Sequence, residues 1–459
     1  MTWDTASFRD PAGRVLHFDG RIFRTIAHAY EDEWTTIQAN GLLRSAQELG
    51  WMVAHKEVPA PGHVPLPPQT WKVVEVEPLP FVSYPYEWCF SQLKQAALLT
   101  LDLHLLALRH EHVLKDATAY NIQFMRGKPI CIDLLSFERW KEGTPWEAYG
   151  QFCRHFLAPL ALMHYNDLRF GLLSRQWIDG IPLDLACRAL PWRSFMSAGS
   201  LMHIHLHARM CQKHGGSATD SNKKPSLSLR QMENVALSLR TAAENMHPPH
   251  KDTEWGDYYT DTNYSDAAME AKQVLVNKIA SAHPGRLALD LGANIGKFTT
   301  LLAPHFETVL STDVDPLAVE RHFQSHPAEQ ILPLILDVAS PSPALGWATQ
   351  ERPSFSHRCQ ADMLLALALC HHLRMSAGIP LAQQAAYFAD ILTNGGQAVV
   401  EFVPKEDSQV QRLLASREDI FTDYTLDAFR DAFRQAGFCE RSYHALPDSS
   451  RTMHVWEKI

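Results

Sequence analysis

The residues best equipped for chemistry in the second half of the chain are three acids that close successive strand-like runs. They are Asp290 in RLALDLGANIGKF, Asp313 in TVLSTDVDPLAVE and Asp337 in ILPLILDVASPSP. Open α/β sheets bind their ligands in the crevice beyond the carboxyl ends of the strands, so all three carboxylates face one such crevice. Asp313, about twenty residues beyond Asp290, is placed to accept both hydroxyls of a ribose, and Asp337 to meet the amino group of an adenine. Gly292 and Gly296 supply a sharp turn and let the backbone approach a ligand closely. The D-x-G-x-x-x-G spacing also occurs in dinucleotide folds. An anionic pyrophosphate favours G-x-G-x-x-G, however, and these glycines do not match it.

The fourth and fifth strand-like runs add groups that can act on an acceptor. DMLLALALCHHLRMS ends in Cys370, His371 and His372. A histidine with a pKa near about 6.5 suits proton removal, which makes His371 and His372 candidate bases, while Cys370 reads as core. QAVVEFVPKEDSQ then presents Glu401, Lys405, Asp407 and Ser408, polar enough for a sugar, a hydroxylated metabolite or an amine. The alternative for Asp407 or Ser408 is a helix N-cap. Upstream, Tyr264 and Lys272 are candidates to close over a bound ligand. Trp255, Tyr258 and Tyr259 either join them or pack one domain on another.

The elements that must position these residues alternate. Short apolar strands (LALDLG, TVLSTDV, ILPLILDV, DMLLALAL, QAVVEFV) are separated by amphipathic helices, including DAAMEAKQVLVNKIAS, one from about Lys297, LAVERHFQS and LAQQAAYFADILT. That alternation predicts a parallel sheet covered on both faces. FCERSYHALPDSSRTMHVWEKI predicts a terminal antiparallel hairpin around its Pro-Asp-Ser-Ser turn. The clearest break in composition is HGGSATDSNKKPS, His214 to Ser226, read as a linker. The expected organisation is an N-terminal domain over 1–213, a linker with a connecting helix over 214–252, and a C-terminal domain over 253–459.

Composition limits the function classes. At 459 residues the chain holds two or three domains. A net charge of -9 offers no global attraction to a phosphate backbone, which disfavours nucleic acid as a partner. The eight cysteines form no C-x-x-C pair and read as thiols in a reducing compartment. The N-terminus lacks the features of an export signal, and apolar runs such as LKQAALLTLDLHLLALRH are broken by charges. The expectation is a cytoplasmic protein with no membrane partner.

Three strand ends carrying an acid or a glycine turn in this order resemble class I S-adenosylmethionine-dependent methyltransferases. The resemblance covers about residues 253–459 and implies a Rossmann-like fold that binds S-adenosyl-L-methionine. It places Asp290, Gly292 and Gly296 at the methionine portion, Asp313 at the ribose, and Asp337 with Val338 at the adenine. Asn294 stands where the family's middle glycine usually lies, a mild departure because Asn tolerates left-handed backbone geometry. No Asn/Asp-Pro-Pro-aromatic tetrapeptide follows the fourth strand, and no Pro-Cys occurs there, so methylation of a nucleobase loses support.

The first half carries a second pattern. In HEHVLKDATAYNIQFMRGKPICIDLLSFE, Asp116 precedes Asn121 by five positions, and Asp133 follows a short hairpin. This resembles the catalytic and metal loops of protein-kinase-like folds, with strand, hinge and two helices expected upstream over VVEVEPLPFVSYPYEWCFSQLKQAALLTLDLHLLALRH. The resemblance implies an α+β domain in which Asp116 orients a hydroxyl while Asn121 and Asp133 hold magnesium on ATP. Departures are the missing glycine-rich loop and the missing glycine after Asp133. Lys56 in VAHK follows the helix TTIQANGLLRSAQELG instead of preceding it, leaving Arg24 at the position of the expected lysine. The half is therefore either an active kinase or a kinase-like fold kept for binding. The run LMHIHLHARMCQKH, with His203, His205 and His207, fits a packed element better than a metal face.

The whole chain resembles bacterial methyltransferases associated with rhizobial nodulation. That implies O- or N-methylation of a small molecule or saccharide.

Overall fold

The computed structural model describes residues 2–62, 64–214, 227–249, 264–415 and 418–459. The polar stretch 215–226 and Trp255, Tyr258 and Tyr259 lie outside the described residues. The chain divides into two compact units. The first comprises Met1–His250 with Leu345–Arg352, the second Lys251–Ala344 with Pro353–Ile459.

The first unit begins with a five-stranded antiparallel sheet. Its strands are β1 (Thr2–Trp3), β2 (Val15–Phe18), β3 (Arg21–Ala27), β4 (His55–Val58) and β5 (Thr70–Val76), in the spatial order β1-β2-β3-β5-β4. The stretch expected as one helix, TTIQANGLLRSAQELG, forms two, Glu31–Asn40 and Leu42–Glu48. Gly41 separates them at φ +79°, a left-handed conformation in which glycine ends the first helix without a Cβ clash. The two helices expected after the hinge are instead one, Phe90–Arg109. Its residues are buried on most faces, among them Leu93, Ala96, Leu101, His104 and Leu108, so packing overrides its internal polar breaks.

Two small antiparallel pairs follow. β6 (His112–Leu114) pairs with β9 (Phe137–Arg139), and β7 (Ile122–Met125) with β8 (Lys128–Cys131). The helix Leu229–Glu244, which the sequence assigned to a connector, belongs to this unit. Ser228 caps it, with the side chains of Ser228 and Gln231 each bonding the other's backbone, and Arg240 on it pairs with Asp102 at 2.5 Å. The His203 run is helical and packed. His203 bonds Tyr149 and Ser238, His205 bonds Ser194, and no cluster able to hold a metal exists among the described residues.

The second unit is a doubly wound sheet of seven strands. β10 (Gly285–Leu291), β11 (Phe306–Asp313), β12 (Ile331–Ile335), β13 (Ala361–Ala366) and β14 (Leu392–Phe402) run parallel. The hairpin β15 (Phe438–Ala445) and β16 (Thr452–Lys458) adds its second strand antiparallel to β14. The spatial order is β12-β11-β10-β13-β14-β16-β15. The reversal at β10 and β13 is the switch point where such sheets open a crevice. Ala288, Val309, Met363, Leu365 and Val399 form the core with Val276 and Ile279 of the helix Asp266–Ala282. The helix expected from about Lys297 is a single turn, Thr299–Leu302, because tight turns hold the chain from Asn294 to Phe298.

None of the eight cysteines forms a disulfide, and among the described residues no helix is long and apolar enough to cross a membrane.

Candidate functional site

A cavity of about 280 Å³ opens at the carboxyl ends of β10, β11, β12 and β13. Of the residues singled out from sequence it brings together Tyr264, Lys272, Asp290, Gly292, Asn294, Asp313, Asp337, Val338 and His372. Phe298, Leu336, Leu369 and Leu373 make much of its wall apolar. Gly296, His371, Glu401 and Lys405 are not part of that lining.

The turn after β10 is held by its own backbone. Gly292 and Ala293 donate their N–H groups to the Thr312 carbonyl, at 2.8 and 2.9 Å. Asn294 sits at φ +51°, where an Asn is tolerated, and donates its N–H to Asp313 at 2.8 Å. Gly296 serves packing. A Cβ there would lie 2.1 Å from the ring of His322, so this glycine lets the turn close on the helix Pro316–Gln324.

Burial dominates the electrostatics. The Asp290 carboxyl accepts the Thr299 hydroxyl at 2.6 Å, yet desolvation pushes its pKa up to about 7. Asp313 accepts the N–H groups of Asp315 and Asn294, and burial pushes it up to about 6. In both groups burial outweighs the hydrogen bonds that favour the charged form. Asp337 is exposed at the rim, where it accepts the Ala339 N–H.

The two candidate bases separate. His372 faces the cavity, and burial together with the Arg451 charge pushes it down to about 4, well below the value that made it attractive as a proton carrier. His371 is 1% exposed and turned away from the cavity, with burial holding it far below the ordinary range. Cys370 is buried core, its thiol pushed up to about 12.

From Tyr264 and Lys272 in the cavity wall a network of charges that sequence reasoning caught only in part runs into the interior. Lys272 pairs with Glu401 at 2.8 Å, and both are essentially inaccessible. The Tyr264 hydroxyl donates to Glu401 at 2.6 Å and accepts from Lys272 at 2.9 Å and from Arg451. Arg451 also clamps Asp407 through two hydrogen bonds, at 2.7 and 2.9 Å. Asp407 in addition caps the helix Ser408–Leu414 by accepting the Gln409 N–H. Glu401 is thus a buried support and not a wall of the cavity. Lys405 points elsewhere and pairs with Asp419 at 2.7 Å. Arg451 was missed; its signal was a lone cation between a turn and the apolar strand TMHVW.

In the first unit, Asp116, Asn121 and Asp133 come together as their spacing predicts, and Arg24 joins them. Arg24 reaches Asp133 at 2.7 Å and Asp10 at 2.6 Å. Asp133 also accepts the Leu135 N–H and the Ser136 hydroxyl, and Asn121 donates to that same hydroxyl oxygen at 3.1 Å. Asp116 accepts from Thr118 and Gln151. Magnesium takes about six oxygen ligands in a near-octahedral shell, and both oxygens of Asp133 and Oδ1 of Asp116 already serve donors or a guanidinium. The residues do not fit a bound magnesium–ATP complex. Lys56 stays apart, exposed on β4 beside Glu75.

A doubly wound sheet with a cavity at its switch point, ringed by acids at successive strand ends, defines the second unit as a Rossmann-like ligand-binding domain. No family model matches the chain. It is 34% identical to nodulation protein NoeA of Rhizobium meliloti (strain 1021) over 460 residues, spanning 98% of this chain and 95% of that protein. The chain belongs to the NoeA family.

Among solved structures it is similar to the N-methyltransferase NodS from Bradyrhizobium japonicum WM9, at 13% identity over 42% of this chain and 98% of that one, with a TM-score of 0.31. It is also similar to magnesium protoporphyrin IX methyltransferase (ChlM) from Synechocystis PCC 6803 with bound SAM, at 14% identity over 45% of this chain and 89% of that one, TM-score 0.31. Superpositions this loose add nothing to the topology read from the chain itself.

Proposed function

We propose that the chain is an S-adenosylmethionine-dependent methyltransferase that methylates an oxygen or nitrogen of a small molecule or saccharide. One observation carries this reading: Asp290, Asp313 and Asp337 ring a single cavity at the ends of adjacent parallel strands, in the order that a methionine portion, a ribose and an adenine would need. The residues present suit that cofactor. A carboxylate offers about four acceptor positions, so Asp313 keeps capacity for ribose hydroxyls beside its backbone donors. Among the described residues the buried Asp290 forms no direct ion pair, its nearest cationic influence being Lys272, which is itself paired with Glu401, and an α-ammonium would supply one. Leu336, Val338 and Leu369 give a flat base an apolar seat.

When bound, the cofactor supplies an electrophilic methyl group on a sulfonium. The chain's own residues hold it and orient the acceptor for in-line displacement. His372 is neutral throughout the physiological range and offers a hydrogen-bond acceptor to the hydroxyl or amine that must lose a proton. With its pKa near 4 it polarises that proton more than it stores it. The Tyr264 hydroxyl, already shared among Lys272, Glu401 and Arg451, leaves only its ring to shape the wall.

The first unit is, in this reading, a kinase-like fold that helps to recognise the acceptor or a partner. What supports it is the element order, with sheet, hinge, long helix and then the loop bearing Asp116 and Asn121 ahead of Asp133.

The test is calorimetric titration of the full chain with S-adenosylhomocysteine. Asp290→Ala and Asp313→Ala are expected to abolish binding in chains that still fold, and retained binding by both overturns the assignment. Transfer of a labelled methyl group to a panel of amines and saccharides then identifies the acceptor. His372→Ala is expected to lower kcat while leaving cofactor affinity intact.

A further inference from the structure

The Arg24 cluster has a consequence beyond methyl transfer. Its guanidinium is only 11% exposed, which costs solvation unless carboxylates compensate. Two do, Asp10 through one terminal nitrogen and Asp133 through the other. Asp133 is the residue whose spacing from Asp116 and Asn121 resembles the metal ligand of a phosphotransferase, and both of its oxygens are engaged, Oδ1 by Arg24 and the Leu135 N–H and Oδ2 by the Ser136 hydroxyl.

A divalent ion at this place would have to displace a guanidinium, break the bond to Ser136 and sit beside the displaced positive charge. Within about 4 Å that repulsion is weakly screened in a partly buried site. The cluster offers no compensating third carboxylate, since no group of three or more His, Cys, Asp or Glu able to hold an ion exists among the described residues. Asp116 is already engaged at Oδ1 by the Thr118 N–H and the Gln151 amide.

We infer that Arg24 is the resident cation of the first unit, standing between Asp10 and Asp133 in the place a magnesium–nucleotide complex would need, so that this unit is a metal-independent binding fold and not a phosphotransferase. The expectation of a metal rests on the kinase-like reading given above; the ion pairs do not.

The experiment uses the full-length chain, with magnesium–ATP followed by calorimetry and manganese alone followed by electron paramagnetic resonance. Four forms are compared: the natural chain, Arg24→Met, Arg24→Lys and Asp133→Asn. The natural chain is expected to bind neither probe up to millimolar concentration. Arg24→Met is expected to melt several degrees lower, to take up manganese through the exposed carboxylates, and to regain part of the lost melting temperature when manganese is added. Arg24→Lys keeps a cation in place and is expected to melt near the natural chain and to ignore manganese.

Magnesium–ATP binding by the natural chain that disappears in Asp133→Asn overturns the proposal while upholding the kinase-like reading. A folded Arg24→Met chain that takes up no manganese defeats the idea that Arg24 stands in a metal's place, and the kinase-like reading with it. Should Arg24→Met fail to fold, the natural chain and Arg24→Lys decide: manganese binding by either is fatal to the inference, and its absence in both supports it.

Discussion

The raised pKa values of Asp290 and Asp313 make cofactor binding a proton-linked event of predictable size. Both carboxyls must be ionised to serve an ammonium and ribose hydroxyls, and in the free chain burial holds them near 7 and near 6. Lowering the pH therefore adds the cost of removing protons. Between about pH 7.5 and 5.5 the fraction of Asp290 ionised falls about 25-fold and that of Asp313 about fourfold, a combined loss of affinity of up to about 100-fold, or nearly 3 kcal/mol. A ligand α-amino group of pKa about 7.7–8.0 passes from partly to fully protonated across this window, which offsets the loss by less than about twofold.

The assay is calorimetric titration with S-adenosylhomocysteine at half-unit intervals, in buffers of matched ionic strength. In Asp290→Asn the affinity at high pH should drop to roughly the level the natural chain shows at low pH. Only the shallow dependence from Asp313 should remain. An affinity flat to within about twofold across the window, or an Asp290→Asn chain that binds as the natural one does, would refute the reasoning.

The same groups act on stability without ligand. An acid whose folded pKa exceeds its unfolded value stabilises below the unfolded value and loses that contribution as pH rises through the folded one, so the ligand-free second unit should become less stable from about pH 4 to about pH 7. Asp290 contributes on the order of 4 kcal/mol to that loss, measurable by denaturant titration at each pH. Arg451→Met leaves Asp407 buried without its partner and should cost about 3–5 kcal/mol; thermal melting checks it, and a change below 1 °C would show the network to be dispensable. Gly296→Ala should destabilise by about 1–3 kcal/mol through contact with His322 and the positive φ, and it should do so even though Gly296 does not line the cavity. Ser228→Ala should cost about 1 kcal/mol by removing the cap of the helix Leu229–Glu244, read as a lower denaturant midpoint of the first unit.

The second unit was legible because its signals are local. Strand runs such as LALDLG and TVLSTDV are continuous and apolar, the helices between them have a regular period, and the first three strands each lead into an acid, so element type and strand-end residues follow from the chain itself. Helix lengths were less legible. The turn after Asp290 shortens its helix to Thr299–Leu302, and the polar breaks in Phe90–Arg109 do not interrupt a helix buried on most faces.

What sequence determined by itself was the type and order of the elements and which residues stand at strand ends. Tertiary structure alone decided which of those residues share a cavity and what charge they carry. His371 and His372 are neighbours in sequence, but a helix turns them about 100° apart, so one faces the cavity and the other the core. Burial, which no spacing encodes, lifts Asp290 and Asp313 and depresses His372. Arg451 reaches Tyr264 and Asp407, and Arg24 reaches Asp133, across separations of 187, 44 and 109 residues, and only the folded chain brings such partners within hydrogen-bond range.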